Sequence, residues 1–235
     1  MSASGNPMMN TLSLQSLRGA FGLLLALAAP VAMSATIQLY ETGPAEDAAF
    51  VRFVNGGAQP MGVSAKGSQS RIELDAGEPV SVFMPVRGGA SVQGRLESAQ
   101  QGQDLDVTVQ PGEFASVVGL PGKDGLQTVV VRELPDDFNA AKVSIGFYNL
   151  DASCADAGLV AAPRNLAMFE RVPQGQAARR LVNPVALSVS ASCGGQVLPQ
   201  VLELGTLQAG DRHTVFLLPS PQGPRLLHAE DRVGR

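Results

Sequence analysis

Apolar and polar positions alternate along much of this 235-residue chain, in runs too short for helices. Ile72 and Leu74, and again Leu105, Val107 and Val109, recur at a period of two. That period turns one face of a strand inward and leaves the other to solvent or a neighbour. Further short β-type runs lie at 80–86, 114–120, 129–131, 185–190 and 214–218, each bounded by Gly, Pro, Asn or Asp. The 26 glycines and 16 prolines punctuate the chain too often for long helices. Turn signals at intervals of about 8 to 12 residues predict an all-β protein with a β-sandwich in each half, Ig-like or carbohydrate-binding-module-like.

The pattern also repeats. Gly112 is followed by EFASVVGL, Pro121 and Gly125, and Gly210 by DRHTVFLL, Pro219 and Gly223, with the same spacings. Upstream, FVRFVN closes at Asn55 and VSIGFYN at Asn149. Self-similarity on this scale predicts two copies of one folding unit. The copies are placed at 36–138 and 139–235, joined by the segment 134–139 (LPDDFN), and each is expected to fold on its own. In the repeat register Arg52 stands opposite Gly146, and His213 opposite Ala115.

Residues 1–35 read differently. Their one charged side chain, Arg18, precedes GAFGLLLALAAPVA and the small-residue exit Ala32-Met33-Ser34-Ala35. This is the pattern of a cleaved secretory signal peptide. It is shorter than the roughly 20 apolar residues of a membrane span. The expected mature chain begins near Thr36, has no transmembrane segment and works outside the cytoplasm. The two cysteines, Cys154 and Cys193, then predict a disulfide, since an even, sparse count in an oxidising compartment favours one. The two histidines, His213 and His228, show no metal-ligand spacing.

Charge narrows the partners. Without Arg18 the chain holds 16 basic and 21 acidic residues, a net of −5. Residues 36–138 carry 14 acids and 7 bases, whereas residues 139–235 carry 7 acids and 9 bases. A net-acidic chain without a basic stripe is not expected to bind nucleic acid. Arg164, Arg171, Arg179, Arg180 and Arg212 are candidates for an anion patch on the second half, against the commoner outcome of scattered solvated charges. Glycan capture on exposed rings lacks its usual tools, because there is no Trp and only Tyr40 and Tyr148. Tyr148, inside an apolar run, is expected in the core with its hydroxyl bonded. Tyr40 is expected near the mature N-terminus and exposed.

No catalytic, cofactor or metal site is predicted. The G-x-S-x-G elbow is absent. Asp211 and His213 share a strand face and could touch, but no nucleophile comes with a spacing that specifies it. Asp104 and Asp106 lack the further oxygen ligands that calcium needs. Arg52 interrupts the apolar FVRFV. It is expected either to lay its stem on the sheet with the head in water or to pair with a carboxylate on a partner, which makes Arg52 and Tyr40 the candidate partner contacts.

LYETGPAEDAAFVRFVN, FMP at 83–85, VTVQPGEFASVV, FYNL at 147–150 and RRLVNPVALSV together resemble the alginate biosynthesis AlgF family, in order and spacing, over nearly the whole mature chain. The Cys154 segment and the Pro-rich tail at 219–224 depart from that pattern and leave the polymer open. The resemblance implies a periplasmic accessory protein of alginate O-acetylation. Its partners would be SGNH-type O-acetyltransferases and a membrane O-acyltransferase of the same pathway, with a polysaccharide contact as a further candidate. It brings no catalytic motif. Two other classes stand beside the adaptor: a direct acetyltransferase or esterase using His213 as base, and a carbohydrate-binding module.

Overall fold

A computed structural model describes residues 48–134 and 138–234. The expected signal peptide, Tyr40 and linker residues 135–137 lie outside the described residues. The first half contains β1 (Ala48–Asn55), β2 (Met61–Ala65), β3 (Arg71–Leu74), β4 (Met84–Arg87), β5 (Ser91–Ser98), β6 (Gln101–Thr108), β7 (Phe114–Gly122) and β8 (Gly125–Glu133). The second contains β9 (Val143–Asn149), β10 (Asp156–Ala162), β11 (Leu166–Pro173), β12 (Ala177–Val182), β13 (Ala186–Cys193), β14 (Gln196–Val197), β15 (Leu202–Thr206), β16 (Arg212–Leu218) and β17 (Arg225–Glu230). The protein is all-β, and each half is a sandwich. Of the runs read from sequence, 80–86 is strand only at its end, with isolated bridges at Val80 and Phe83.

The first sandwich packs the sheet β4-β1-β7-β8 against β3-β2-β5-β6. The second packs β12-β9-β16-β17 against β11-β10-β13-β14, with β15 also on β13. The repeat is therefore a repeat of topology. In each half the first strand of the copy pairs in parallel with the strand after the repeated glycine, β1 with β7 and β9 with β16. The register agrees to the residue: Asn55 lies opposite Gly119, and Asn149 opposite Leu217, its equivalent. Gly112 and Gly210 both take left-handed φ, 76° and 90°, at the turn that starts the second of these strands. Each donates its N–H across to the start of the first strand, to Ala48 O and Lys142 O.

The repeated asparagines do the same work twice. Asn55 Nδ2 donates to Gln59 O (2.8 Å) and Leu74 O (3.0 Å), while its Oδ1 accepts from Gly57 N. Asn149 Nδ2 donates to Cys154 O (2.7 Å) and Val172 O (3.0 Å), while its Oδ1 accepts from Asp151 N. Each amide thus satisfies backbone carbonyls at the place where the chain crosses from one sheet to the other, groups that would cost about 1–3 kcal/mol each if buried unpaired.

Period-two alternation sends Val51 and Phe53 into one core, with Met61, Leu96 and Val117, and sends Ile145 and Phe147 into another, with Leu159, Val189 and Val215. The opposite faces of β1, β7, β9 and β16 are not wet. Val54, Val118 and Leu120 of the first half and Tyr148, Phe216 and Leu218 of the second form a third core between the sandwiches. These are equivalent positions of the two copies, so each central strand is buried on both faces. The described residues accordingly form one compact unit. Either half alone would expose its own side of the third core to water.

Cys154 and Cys193 form the expected disulfide, with Cα atoms 5.5 Å apart, tying the entry to β10 to the end of β13. It closes a loop of 39 residues, for which chain entropy gives about 4 kcal/mol. Oxidised protein should therefore be lighter by two hydrogens than its reduced form and melt higher. Equal melting of the two forms by calorimetry would show that the bridge contributes nothing.

Candidate functional site

The polar groups that the fold concentrates lie inside the third core. Arg52 is 1% exposed. Its Nε donates to Ser116 Oγ (2.7 Å), Nη1 to Asp231 Oδ1 (2.6 Å) and Nη2 to Thr214 Oγ1 (3.0 Å). The guanidinium also lies 4.3 Å from the ring centroid of Phe83 and 5.1 Å from that of Phe216. Beside it, Arg179 makes a two-pronged pair with Glu133 (2.9 and 3.0 Å) and donates from Nη2 to Asp231 Oδ2 (2.9 Å). Tyr148 donates its hydroxyl to Glu133. Each half supplies one cation and one anion, so the cluster of Arg52, Glu133, Arg179 and Asp231 is neutral and crosses the boundary twice.

This placement corrects one expectation. Arg52 does pair with a carboxylate, but that carboxylate is Asp231 of its own chain, and a buried guanidinium cannot meet an external partner. Gly146, opposite Arg52 in the repeat, is what admits the second arginine: a Cβ there would sit 2.7 Å from Arg179 Nη2. Burial alone would raise the Asp231 pKa, but the charges of Arg52 and Arg179 and the hydrogen bond from Thr214 bring it below the usual carboxylate value. Burial would lower that of Arg179, and the hydrogen bond and charge of Glu133 raise it overall. Tyr148 is pushed up by burial and by the nearby Glu133.

The C-terminal tail strengthens the same boundary. Phe83 N donates to Arg232 O (2.7 Å), Gly234 N donates to Phe83 O (2.7 Å), and Arg225 donates to Gly56 O (3.1 Å).

The remaining sequence candidates separate. Arg179 is in the seam, Arg180 Nη1 donates to Met168 O (2.7 Å), Arg171 lines an outer groove, and Arg212 lies over the Phe138 ring at 5.3 Å. They form no single anion patch. Asp104 pairs with Arg95, and Asp106 accepts from Ser91 and from Gln93 Nε2 (3.0 Å), so both face outward in a cross-strand ladder. Arg71 joins that face between Glu73 and Glu97. This charged outer face of the first sandwich carries a groove of about 540 Å³ lined by Lys66, Arg95, Asp104 and Asp106. The outer face of the second carries one of about 620 Å³, lined by Asp156, Asn165, Glu170, Arg171 and Ser192.

His213 is buried, as packing on the Val215 face requires. Its Nδ1 lies 3.0 Å from His228 Nε2, and its Nε2 is 3.7 Å from Asp211 Oδ2 with no hydrogen-bond partner. The Asp211 carboxylate also accepts from Gln208 N (2.6 Å), as the Glu113 carboxylate does from Gln110 N (2.8 Å) in the first copy. A turn-closing acid is the role that the repeat preserves there. Among the described residues, no cluster of three or more His, Cys, Asp or Glu could hold a metal, and no helix is long and apolar enough to cross a membrane.

Of the seam, sequence reasoning found Arg52 and the bonded Tyr148 hydroxyl, placed Arg179 in an anion patch instead, and missed Glu133 and Asp231. The signal available was Gly146, an empty position facing an arginine in an otherwise matched pair of strands.

No family model matches the chain, and no curated protein matches it. Among solved structures it is similar to a proposed cell adhesion protein of Bacteroides ovatus ATCC 8483, at 10% identity and a TM-score of 0.26, covering 82% of this chain and 100% of that one. It is also similar to another from Bacteroides fragilis NCTC 9343, at 9% identity and a TM-score of 0.23, covering 76% and 85%.

Two consequences can be measured. Arg52→Ala should cost about 3–5 kcal/mol in urea unfolding, because it strands Asp231 and Ser116 in the seam. The charge on Asp231 stabilises the fold above its unfolded pKa of about 3.9, and that contribution disappears as pH falls through the lower folded value. In Arg52→Ala this acid loss should begin at higher pH than in the wild type.

His228 acts in a different window. Burial and the neighbouring His213 lower the pKa of His228, against the opposing pull of Asp231 and Glu230. Below about pH 6.5 the unfolded chain then binds more protons than the folded one, so stability falls on acidification. His228→Gln should flatten the stability profile between about pH 7 and 5; an unchanged slope would remove His228 as its cause.

Proposed function

We propose that this protein is a periplasmic adaptor or relay, itself non-catalytic, for O-acetylation of an exopolysaccharide, with alginate as the polymer that the motif resemblance implies. On this reading residues 1–35 direct export and are cleaved. The partners are SGNH-type O-acetyltransferases and a membrane O-acyltransferase of the same pathway. The observation that supports it is the seam. Two sandwiches joined by a neutral, fully partnered cluster make a stiff body that presents two chemically different outer sheets, one a ladder of Arg, Asp and Glu, the other edged by Ser192, Asn165 and Arg171. A body of that kind holds two partners at a fixed separation, which is what passing an acetyl group between enzymes requires.

Deleting the gene should sharply reduce the acetyl content of the polymer while polymer secretion continues. Normal acetylation in the deletion strain would reject the adaptor. The enzyme alternative is separated by incubating purified protein with an acetyl-ester donor: turnover that disappears in His213→Ala would establish direct catalysis instead.

A further inference from the structure

The two copies share topology and register, so the second copy serves as a control for the first, and at one place they differ. The side of the first sandwich between the edge strands β3 and β4 opens into a slot of about 260 Å³. Val51 and Phe53 of β1, Val63 of β2, Met84 of β4 and Leu105 of β6 enclose it. Ser68, Ser70 and Arg71 also line it.

In the second copy two side chains occupy the equivalent space. The asparagine bonds make Leu74 and Val172 equivalent, and from there the register leads to a matched pair: Ile72, opposite Val63, corresponds to Phe169, opposite Leu159. The Phe169 ring stacks on Phe147 at 5.9 Å, and Phe147 is the equivalent of Phe53. Phe53 has only Ile72 at that position. The second closure is Arg180, whose guanidinium reaches across to Met168 O on the facing sheet. Its counterpart beside Val51 is Met84, which cannot make that bond. The first copy therefore leaves open a space that the second fills with an aromatic ring.

We propose that this slot is a binding site for an uncharged small molecule whose apolar end is the size of one aromatic ring. Size and chemistry both select that class. An apolar cavity of about 150 Å³ in another protein stays dry and takes benzene, and this one is larger and equally apolar inside. The polar groups on its lining, apart from Arg71, include the hydroxyls of Ser68 and Ser70, suited to a neutral polar head. The cation there, Arg71, is already held by Glu73 and Glu97, so the slot offers an anion no unpaired charge. The inference is independent of the adaptor reading.

The methionines make the test direct. Met84 lines the slot, whereas Met168 packs against the closed core of the second copy. The full chain, labelled with ¹³C-methyl methionine, is titrated with benzyl alcohol and separately with benzoate. Benzyl alcohol should move the Met84 methyl signal saturably, with a Kd on the order of 1 mM, and leave Met168 in place. Benzoate should bind at least about tenfold more weakly, as charge burial dictates. Ile72→Phe, which supplies the ring that Phe169 supplies in the second copy, should abolish the shift; if that variant does not fold, Val92→Phe fills the slot from β5. No movement of Met84 up to the solubility limit, equal movement of Met84 and Met168, or an unchanged Kd in a folded filled variant would each overturn the proposal. Benzoate binding as tightly as benzyl alcohol would overturn the uncharged class.

Discussion

The contact between Arg52 and Asp231 sets the terms for everything around it. A guanidinium at the centre of an apolar layer is tolerable only if every donor is met and its charge is balanced within a few ångströms. Ser116, Thr214 and Asp231 meet the donors, and three aromatic faces take the rest of the surface. None of these partners can drift without stranding the charge. The two sandwiches are consequently fixed in one orientation by a directional, stoichiometric contact, where apolar packing alone would leave neighbouring orientations close in energy. Buried ion pairs are weak sources of net stability, and fixing a unique arrangement is the better use of one.

The duplicated framework shows what each copy was free to change. Backbone features survive in both: the parallel strand pair, the glycine turn, and the asparagine that crosses between sheets. The outward positions of the central strands have diverged into complements. Arg52 meets the absence of a side chain at Gly146, and Val54 is matched by Tyr148, whose hydroxyl reaches Glu133. A face that begins as the same surface on two copies can pair with itself about a two-fold axis, and later substitutions then need only fit across that axis.

The fold was legible because its signals are local. Period-two runs and glycine turns report on a few neighbouring residues, and the sandwiches and the core position of Tyr148 follow from them, while the disulfide follows from an even, sparse cysteine count. The third core was hidden by the same logic. The run AFVRFVN has no polar face, which in an isolated sandwich reads as an anomaly at Arg52 and in a joined pair is the normal signature of a strand covered on both sides. Glu133 and Asp231 gave no signal, since an acid at the end of a strand is usually solvated. Only tertiary pairing, 179 residues apart in the case of Arg52 and Asp231, distinguishes these acids from their exposed neighbours.

The sequence distance between Arg52 and Asp231 has a kinetic consequence. Contacts of such long sequence separation form late, because the loop they close costs the most entropy. Arg52 emerges in synthesis well before Asp231, the carboxylate it pairs with, which follows 179 residues later. A chain broken off before the second sandwich keeps a guanidinium without Asp231 next to exposed Val54 and Val118. It therefore stays open to the chaperones and proteases that recognise such surfaces. Closing the seam waits on the second sandwich, and the arrival of Asp231 is the step that completes it.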